Sequence, residues 1–378
     1  METNNAIVQN WDDLELHTDL LRGIYAYGFE KPSEIQKKAI YPIISKKDVI
    51  AQAQSGTGKT GSFSISSLQL VDVDIKETQI LIIAPTRELA SQIHGVITTL
   101  GSCMDGLITK LLVGGTSVQS DIESIKKNKP HVVVGCTGRI YDLMMRKKLN
   151  VHTVKLFVLD ECDVMLSGKF KDQIYEIFQY FNQEVQVAVF SATLPIHVVE
   201  LTDKFMRDPV KIIMKPEELS LDGIEQTFVA VENDNQKFET LKHLFSTLCV
   251  NQSIIYCNSV NRVVDLYDAM KKDGFSVSCI HSNMDKTDRE DVFKQFRKGD
   301  TRVLISSDIT ARGIDIQQVS TVINFDITGS VHTYLHRIGR SGRYGRKGLA
   351  INFVTRNDIR QMKYIEDFYK IEIGELKA

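Results

Sequence analysis

Two α/β domains in tandem, each a parallel sheet with helices on both faces, are the fold this sequence predicts. Three observations predict it. The chain has 378 residues, more than one hydrophobic core usually organises. Short, continuous, β-branched apolar runs alternate with longer amphipathic stretches, as expected of strands buried on both faces and joined by helical crossovers. The alternation breaks once, near residues 207–222, and then restarts.

In the first half the strand-like runs are Val49–Ala51, Ile80–Ala84, Lys110–Val113, His131–Val134, Lys155–Leu159 and Val185–Phe190. Helical patterns at Glu88–Leu100 and Gly138–Lys147 lie between them. The break reads RDPVKIIMKPEELSLD and holds Pro209 and Pro216; none of the seven prolines follows residue 216. Beyond it, Thr227–Val231, Ser253–Cys257, Ser276–Ile280, Arg302–Ser306, Thr321–Phe325 and Ala350–Val354 read as strands, and Asp358–Tyr369 as a helix. The expected organisation is a first domain over 1–214, a linker over 215–222 and a second domain over 223–378.

The composition, 43% hydrophobic and 25% charged, is that of a soluble globular protein. No apolar run approaches the roughly 20 residues that span a bilayer, and the first residues lack an apolar signal core. A cytoplasmic protein with no membrane partner is expected. The net charge of −2 means that nucleic-acid binding must come from local clusters. Six cysteines form no CxxC pair and nine histidines form no HExxH pattern, so a reduced compartment and no zinc site are expected.

The run Ala53-Gln54-Ser55-Gly56-Thr57-Gly58-Lys59-Thr60 follows a strand and opens a helical stretch. Gly56 and Gly58 let the backbone curl so that amide N–H groups of Ser55, Gly56, Thr57 and Gly58 cradle phosphates, with the helix dipole behind them. Lys59 is placed to reach the β- and γ-phosphates and Thr60 to bind Mg²⁺. ATP and Mg²⁺ are the expected cofactors. The strict P-loop pattern is not met, because Ala53 stands at its first glycine. Further on, LFVLDECD ends a buried strand in Asp160-Glu161. A parallel strand's carboxyl end faces the ligand crevice, so Asp160 suits Mg²⁺, largely through water, and Glu161 suits activation of the attacking water. Cys162 reads as a small buried side chain. Ser191 and Thr193 cap another strand, where small hydroxyls could sense a γ-phosphate; a plain helix N-cap is the competing reading.

In the second half, HRIGRSGRYGRKG spans 336–348 with arginine and glycine each recurring every third residue and no acid. A solvated basic loop would not need so many glycines, which are costly unless close backbone approach is required. Arg340 and Arg343 are therefore expected to act as arginine fingers on a phosphate held by the other domain, a role worth about 10³–10⁵ in rate. Hydrolysis would then require domain closure.

Together these motifs resemble those of the DEAD-box RNA helicases, most closely the translation initiation factor 4A group, over about Trp11 to Tyr369. The resemblance implies two RecA-like domains and an ATPase that separates short RNA duplexes locally, without reading sequence, in translation initiation. GFEKPSEIQ at 28–36 resembles the adenine-sensing Q motif, implying that Gln36 reads the adenine edge and Phe29 stacks on its ring; Trp11 matches an isolated upstream aromatic. Pro85, Thr86 and Arg87, the pair Gly114-Gly115, and Gly138-Arg139 match RNA-contact loops. Ser307 and Asp315 fall in a motif whose members contact RNA and the ribose. Ser191, Thr193 and His336 would couple hydrolysis to strand separation. DECD replaces DEAD, and Cys136-Thr137 replaces the threonine and proline of TPGR, which predicts a softer RNA-contact loop. Lys286 stands for a usual glutamine and Gln317 for a usual proline. Expected partners are single-stranded or short duplex RNA and an eIF4G-like HEAT-repeat scaffold protein, with the chain itself a monomer.

Two other activities use some of these residues. An ATP-gated RNA clamp, whose hydrolysis times release, would need the same set. A P-loop kinase of small metabolites leaves the second domain and HRIGRSGR unexplained.

Overall fold

A computed structural model describes residues 8–53, 56–166, 170–213, 224–247, 252–308, 319–341 and 348–376. The chain separates into two compact units, residues 1–214 and 215–378. The linker expected at 215–222 lies outside the described residues.

Unit one is a seven-stranded parallel sheet. Its strands are β1 (Val49–Gln52), β2 (Ile80–Ala84), β3 (Thr109–Leu112), β4 (Val132–Cys136), β5 (Leu156–Asp160), β6 (Gln186–Ser191) and β7 (Val210–Ile213), in spatial order β3-β4-β2-β5-β6-β1-β7. The helices that position its loops are α1 (Thr18–Ala26), α2 (Glu34–Ile44), α3 (Lys59–Leu70), α4 (Arg87–Leu100), α5 (Val118–Asn128) and α6 (Thr137–Met145), followed by α7 (Cys162–Met165), α8 (Phe170–Gln179) and α9 (Ile196–Thr202). The continuous apolar runs explain why helices cover both faces. Ile80, Ile82, Val132, Val134 and Val158 enter one core, while their neighbours Leu81, Ile83, Val133, Phe157 and Leu159 enter the other. Successive strand residues point to opposite faces, so a run with no polar positions has no face to give to water.

One element departs from the sequence reading. The segment after Arg207 seemed to begin the interdomain break, yet it first adds β7 to the sheet, in parallel register with β1. Pro209 concealed it, but a proline just before an edge strand removes no ladder hydrogen bond. Buried Asp48 fixes the join: its carboxylate accepts from Val187 N at 2.8 Å and Arg207 N at 2.6 Å.

Unit two repeats the plan with β8 (Ile224–Ala230), β9 (Ser253–Tyr256), β10 (Val277–Ile280), β11 (Val303–Ser306), β12 (Thr321–Asn324), β13 (Gly348–Val354) and a two-residue β14 (Gly374–Glu375) that the sequence pattern had not marked. The order is β10-β11-β9-β12-β13-β8-β14, all parallel. Its helices are α10 (Asp234–Thr247), α11 (Val260–Lys272), α12 (Lys286–Lys298), α13 (Val331–Ile338) and α14 (Ile359–Tyr369). Among the described residues, no helix is long and apolar enough to cross a membrane.

Candidate nucleotide and nucleic-acid site

The carboxyl edge of the first sheet carries the unit-one candidates other than Phe29 and Gln36, and strand order sorts them. β1, β5 and β6 are neighbours and end in the phosphate loop, Asp160-Glu161 and Ser191–Thr193. β3, β4 and β2 form the adjoining half and end in Gly114-Gly115, Cys136–Arg139 and Pro85–Arg87.

The phosphate loop is a strand-to-helix turn. Gly56 and Gly58 have φ of 84° and 110°, left-handed conformations that glycine adopts without strain. Gly58 is also needed sterically, since a Cβ there would meet Ser33 Oγ at 2.6 Å and Gln36 Nε2 at 2.9 Å. Lys59 and Thr60 open α3. Lys59 Nζ is buried and donates to Ala53 O at 2.6 Å. Ser55, expected among the cradle residues, lies outside the described residues.

The Q-motif residues brace this loop. Gln36 Oε1 accepts from Ser33 N at 2.7 Å and its Nε2 donates to Gly58 O at 3.3 Å. That leaves one amide N–H and one oxygen lone pair for another partner. Phe29 is placed by Trp11, which is fully buried and donates from Nε1 to Phe29 O at 3.0 Å. The two rings stack with centroids 6.1 Å apart.

At the end of β5, burial first and the neighbouring Glu161 charge second push the Asp160 carboxyl up to about 7, against the pull of Lys59. Such a buried carboxylate favours a nearby cation. Glu161 is left-handed, with φ of 52°, a backbone cost of about 1–3 kcal/mol for a non-glycine residue. One residue that sequence reasoning left without a role is Asp163. Its carboxylate accepts from Ser191 Oγ at 2.8 Å and Thr193 Oγ1 at 3.0 Å. Thus the strand-end hydroxyls grip the DECD turn. Only the lateral pairing of β5 with β6 reveals this, so local sequence carried no signal for it. Cys162 is buried, and burial pushes its thiol well up, consistent with a packing residue.

In the other half, Thr86 caps α4, its Oγ1 accepting from Leu89 N at 3.2 Å. The Arg87 guanidinium lies over Gly114, where a Cβ would meet its Nη2 at 3.0 Å. Gly115 has φ of 85°. The space above Gly138 is open. Arg139, expected to contact RNA, also makes contacts within unit one. It is 9% exposed, pairs with Asp121 through Nη1, and donates from Nη2 to Thr116 O at 2.8 Å. Asp121 also holds Lys110 Nζ at 3.2 Å. Arg139 thus ties the turn after Gly114-Gly115 to α5 through Thr116 and buried Asp121. Thr137, the departure from proline, buries a hydroxyl with no partner among the described residues, a cost of about 1–3 kcal/mol. Cys136 caps α6 without a side-chain cap bond, and burial pushes its thiol up to about 12.

In unit two, Ser307 follows β11, and its carbonyl accepts from Ser306 Oγ at 2.7 Å. His336 lies on α13, and Arg340 lies on the turn that ends it, its N–H bonded to Arg337 O at 3.2 Å. Arg343 and Asp315 lie outside the described residues. Sequence reasoning gave no role to Arg337, which is fully buried and donates to Asp308, Asn258 and the Asp326 carbonyl at 2.6, 2.8 and 2.7 Å.

Comparison with known proteins gives a family. The DEAD/DEAH box helicase domain matches residues 33–202 and the helicase conserved C-terminal domain residues 236–345. Similar relatives include the ATP-dependent RNA helicase eIF4A of Chaetomium globosum, 51% identical over 377 residues, covering 100% of this chain and 94% of that one. The protein of the same name from Pyricularia oryzae is also 51% identical, with 100% and 95% covered. Among solved structures, S. cerevisiae Dbp5 bound to RNA and ADP BeF3 superposes with a TM-score of 0.90 at 34% identity, covering 97% of this chain and 95% of that one.

Proposed function

The chain belongs to the DEAD/DEAH box helicase family and is an ATP-dependent RNA helicase; from that premise we propose that its nucleotide-binding and RNA-binding halves meet along one sheet edge. The observation that carries this reading is the strand order β3-β4-β2-β5-β6-β1, in which the RNA-contact loops and the phosphate loops end side by side.

Phe29 and Gln36 take the adenine, Gly56–Thr60 the phosphates, and Lys59 Nζ leaves the Ala53 carbonyl for a phosphate oxygen. Asp160 and Thr60 supply hard oxygen donors of the kind Mg²⁺ prefers, and the raised Asp160 carboxyl fits a group poised for a cation. Mg²⁺ would neutralise phosphate charge there. Glu161 orients the attacking water and takes its proton on the carboxylate. Arg340 and Arg343 stabilise charge on the transferred phosphoryl group. Ser191 and Thr193, through Asp163, link the DECD turn to the β6 end, and His336 belongs to the same coupling set. Arg87, Thr86, Gly114, Gly115 and Ser307 hold the RNA backbone by charge and amide contacts without reading bases.

The names of the eIF4A relatives support a cytoplasmic role in translation initiation, as a monomer assisted by an eIF4G-like HEAT-repeat scaffold. The deciding experiment is strand separation of a short RNA duplex with ATP and Mg²⁺. Repeated turnovers support a helicase. A long-lived ATP-bound RNA complex with little separation would replace this reading with that of a clamp.

A further inference from the structure

The Asp326 carboxylate, just past the end of β12, is enclosed by donors. Arg262 grips it twice, Nε at 2.7 Å and Nη2 at 2.6 Å. Lys237 Nζ donates at 3.0 Å and Asn258 N at 3.1 Å. Four donors fill the roughly four lone-pair sites a carboxylate offers. Arg337 stands one layer further in. Its Nη1 donates to the Asp326 carbonyl and its Nη2 to Asn258 Oδ1, so two of its partners sit on the framework that Arg262 and Lys237 hold.

We propose that Arg262 and Lys237 are positioning residues for ATP hydrolysis: by fixing Asp326 they set Arg337, and through it the turn that carries Arg340. This rests on the arginine-finger reading of Arg340 given above. Three observations support it. Arg337 is fully buried, so its position is dictated by its partners. Arg340 N bonds to Arg337 O at 3.2 Å, which passes any displacement of Arg337 to Arg340 within one turn. Arg337 Nε holds Asp308 at 2.6 Å, fixing the start of the segment that follows β11. Stability alone is a poor account of the arrangement, since buried ion pairs rarely outperform apolar packing. A bidentate guanidinium fork instead fixes direction, and lysine cannot reproduce it.

The experiment is steady-state ATP hydrolysis by the full chain at saturating RNA, with thermal unfolding measured in parallel. Arg262→Lys retains the charge beside Asp326 but loses the fork. It is expected to lower kcat by roughly tenfold to a hundredfold, the effect of a catalytic group displaced by up to about 1 Å. KM for ATP should change less than threefold, with the unfolding midpoint nearly unchanged. Asp234→Asn removes the exposed carboxylate that meets Arg262 Nη1 at 2.5 Å and Lys237 Nζ at 3.0 Å but leaves every bond to Asp326 in place, and should lower kcat less than threefold. Lys237→Met should resemble Arg262→Lys. Wild-type kcat in Arg262→Lys would overturn the proposal. So would a loss of kcat matched by an equal loss in Asp234→Asn, or one that tracks a falling unfolding midpoint. Near-wild-type turnover in Arg340→Ala would instead sink the arginine-finger reading, and this inference with it.

Discussion

Lys59 Nζ donates to the Ala53 carbonyl at 2.6 Å, so the phosphate loop is closed by its own lysine. In the proposed mechanism the same ammonium serves the phosphate, so binding ATP would exchange one oxygen for another. Lys59→Ala is expected to abolish nucleotide-dependent RNA binding while leaving the fold intact. Fluorescence anisotropy of labelled RNA, with and without a non-hydrolysable ATP analogue, checks this. An unchanged analogue-dependent signal would remove Lys59 from the mechanism.

Glu161→Gln retains shape and hydrogen bonding but cannot take a proton. ATP binding should persist, and turnover should fall by about 10²–10⁴, the usual contribution of a positioned base. Near-wild-type hydrolysis would assign the base elsewhere.

Trp11 supports Phe29 from behind, by stacking and by the 3.0 Å bond from Nε1 to Phe29 O. Trp11→Phe retains most of the ring and loses the bond. KM for ATP should rise severalfold with kcat little changed, as measured by initial rates over ATP concentration. Trp11→Ala adds a cavity and should destabilise the chain by about 3–5 kcal/mol, read from urea unfolding.

Much of this was legible in the sequence, and the reason is physical. Strands buried on both faces must be uniformly apolar, so Ile80–Ala84 appeared with its ends correct. The turn between β1 and α3 needs left-handed backbone at Gly56 and Gly58, so the spacing of its glycines is visible locally. Asp163 and Arg139 were different. Their roles depend on partners from other strands and loops, Ser191 and Thr193 for one, Asp121 and Thr116 for the other, and no local pattern encodes a lateral contact. β7 was missed because Pro209 mimics a break when it precedes an edge strand.

If Ser191 and Thr193 transmit the state of the DECD turn, removing their hydroxyls leaves the Asp163 carboxylate without two donors. The double variant Ser191→Ala, Thr193→Ala should retain ATP hydrolysis within about tenfold and lose duplex separation by more. Each hydrogen bond to a charged group is worth about 1.5–3 kcal/mol. Parallel hydrolysis and unwinding assays check this, and equal losses in both would remove the coupling role.

Asp326 makes the second unit sensitive to acid. Burial raises its carboxyl, but Arg262, Lys237 and the Asn258 N–H outweigh burial and hold it below the ordinary 3.8. A carboxyl depressed in the folded state contributes stability above its unfolded value, and that contribution is lost as pH falls through the folded value. Asp326→Asn should therefore lose about 3–5 kcal/mol at neutral pH, as when one member of a buried pair is removed. It should also lose less further stability than wild type as pH drops below 3.8. Denaturant unfolding at several pH values checks the slope.

The central claim, that this ATPase acts on RNA, is tested most directly by ATP hydrolysis with no nucleic acid, with single-stranded RNA and with single-stranded DNA of the same sequence. The account predicts low basal turnover, at least tenfold stimulation by RNA and little by DNA. Hydrolysis that is indifferent to RNA would contradict it.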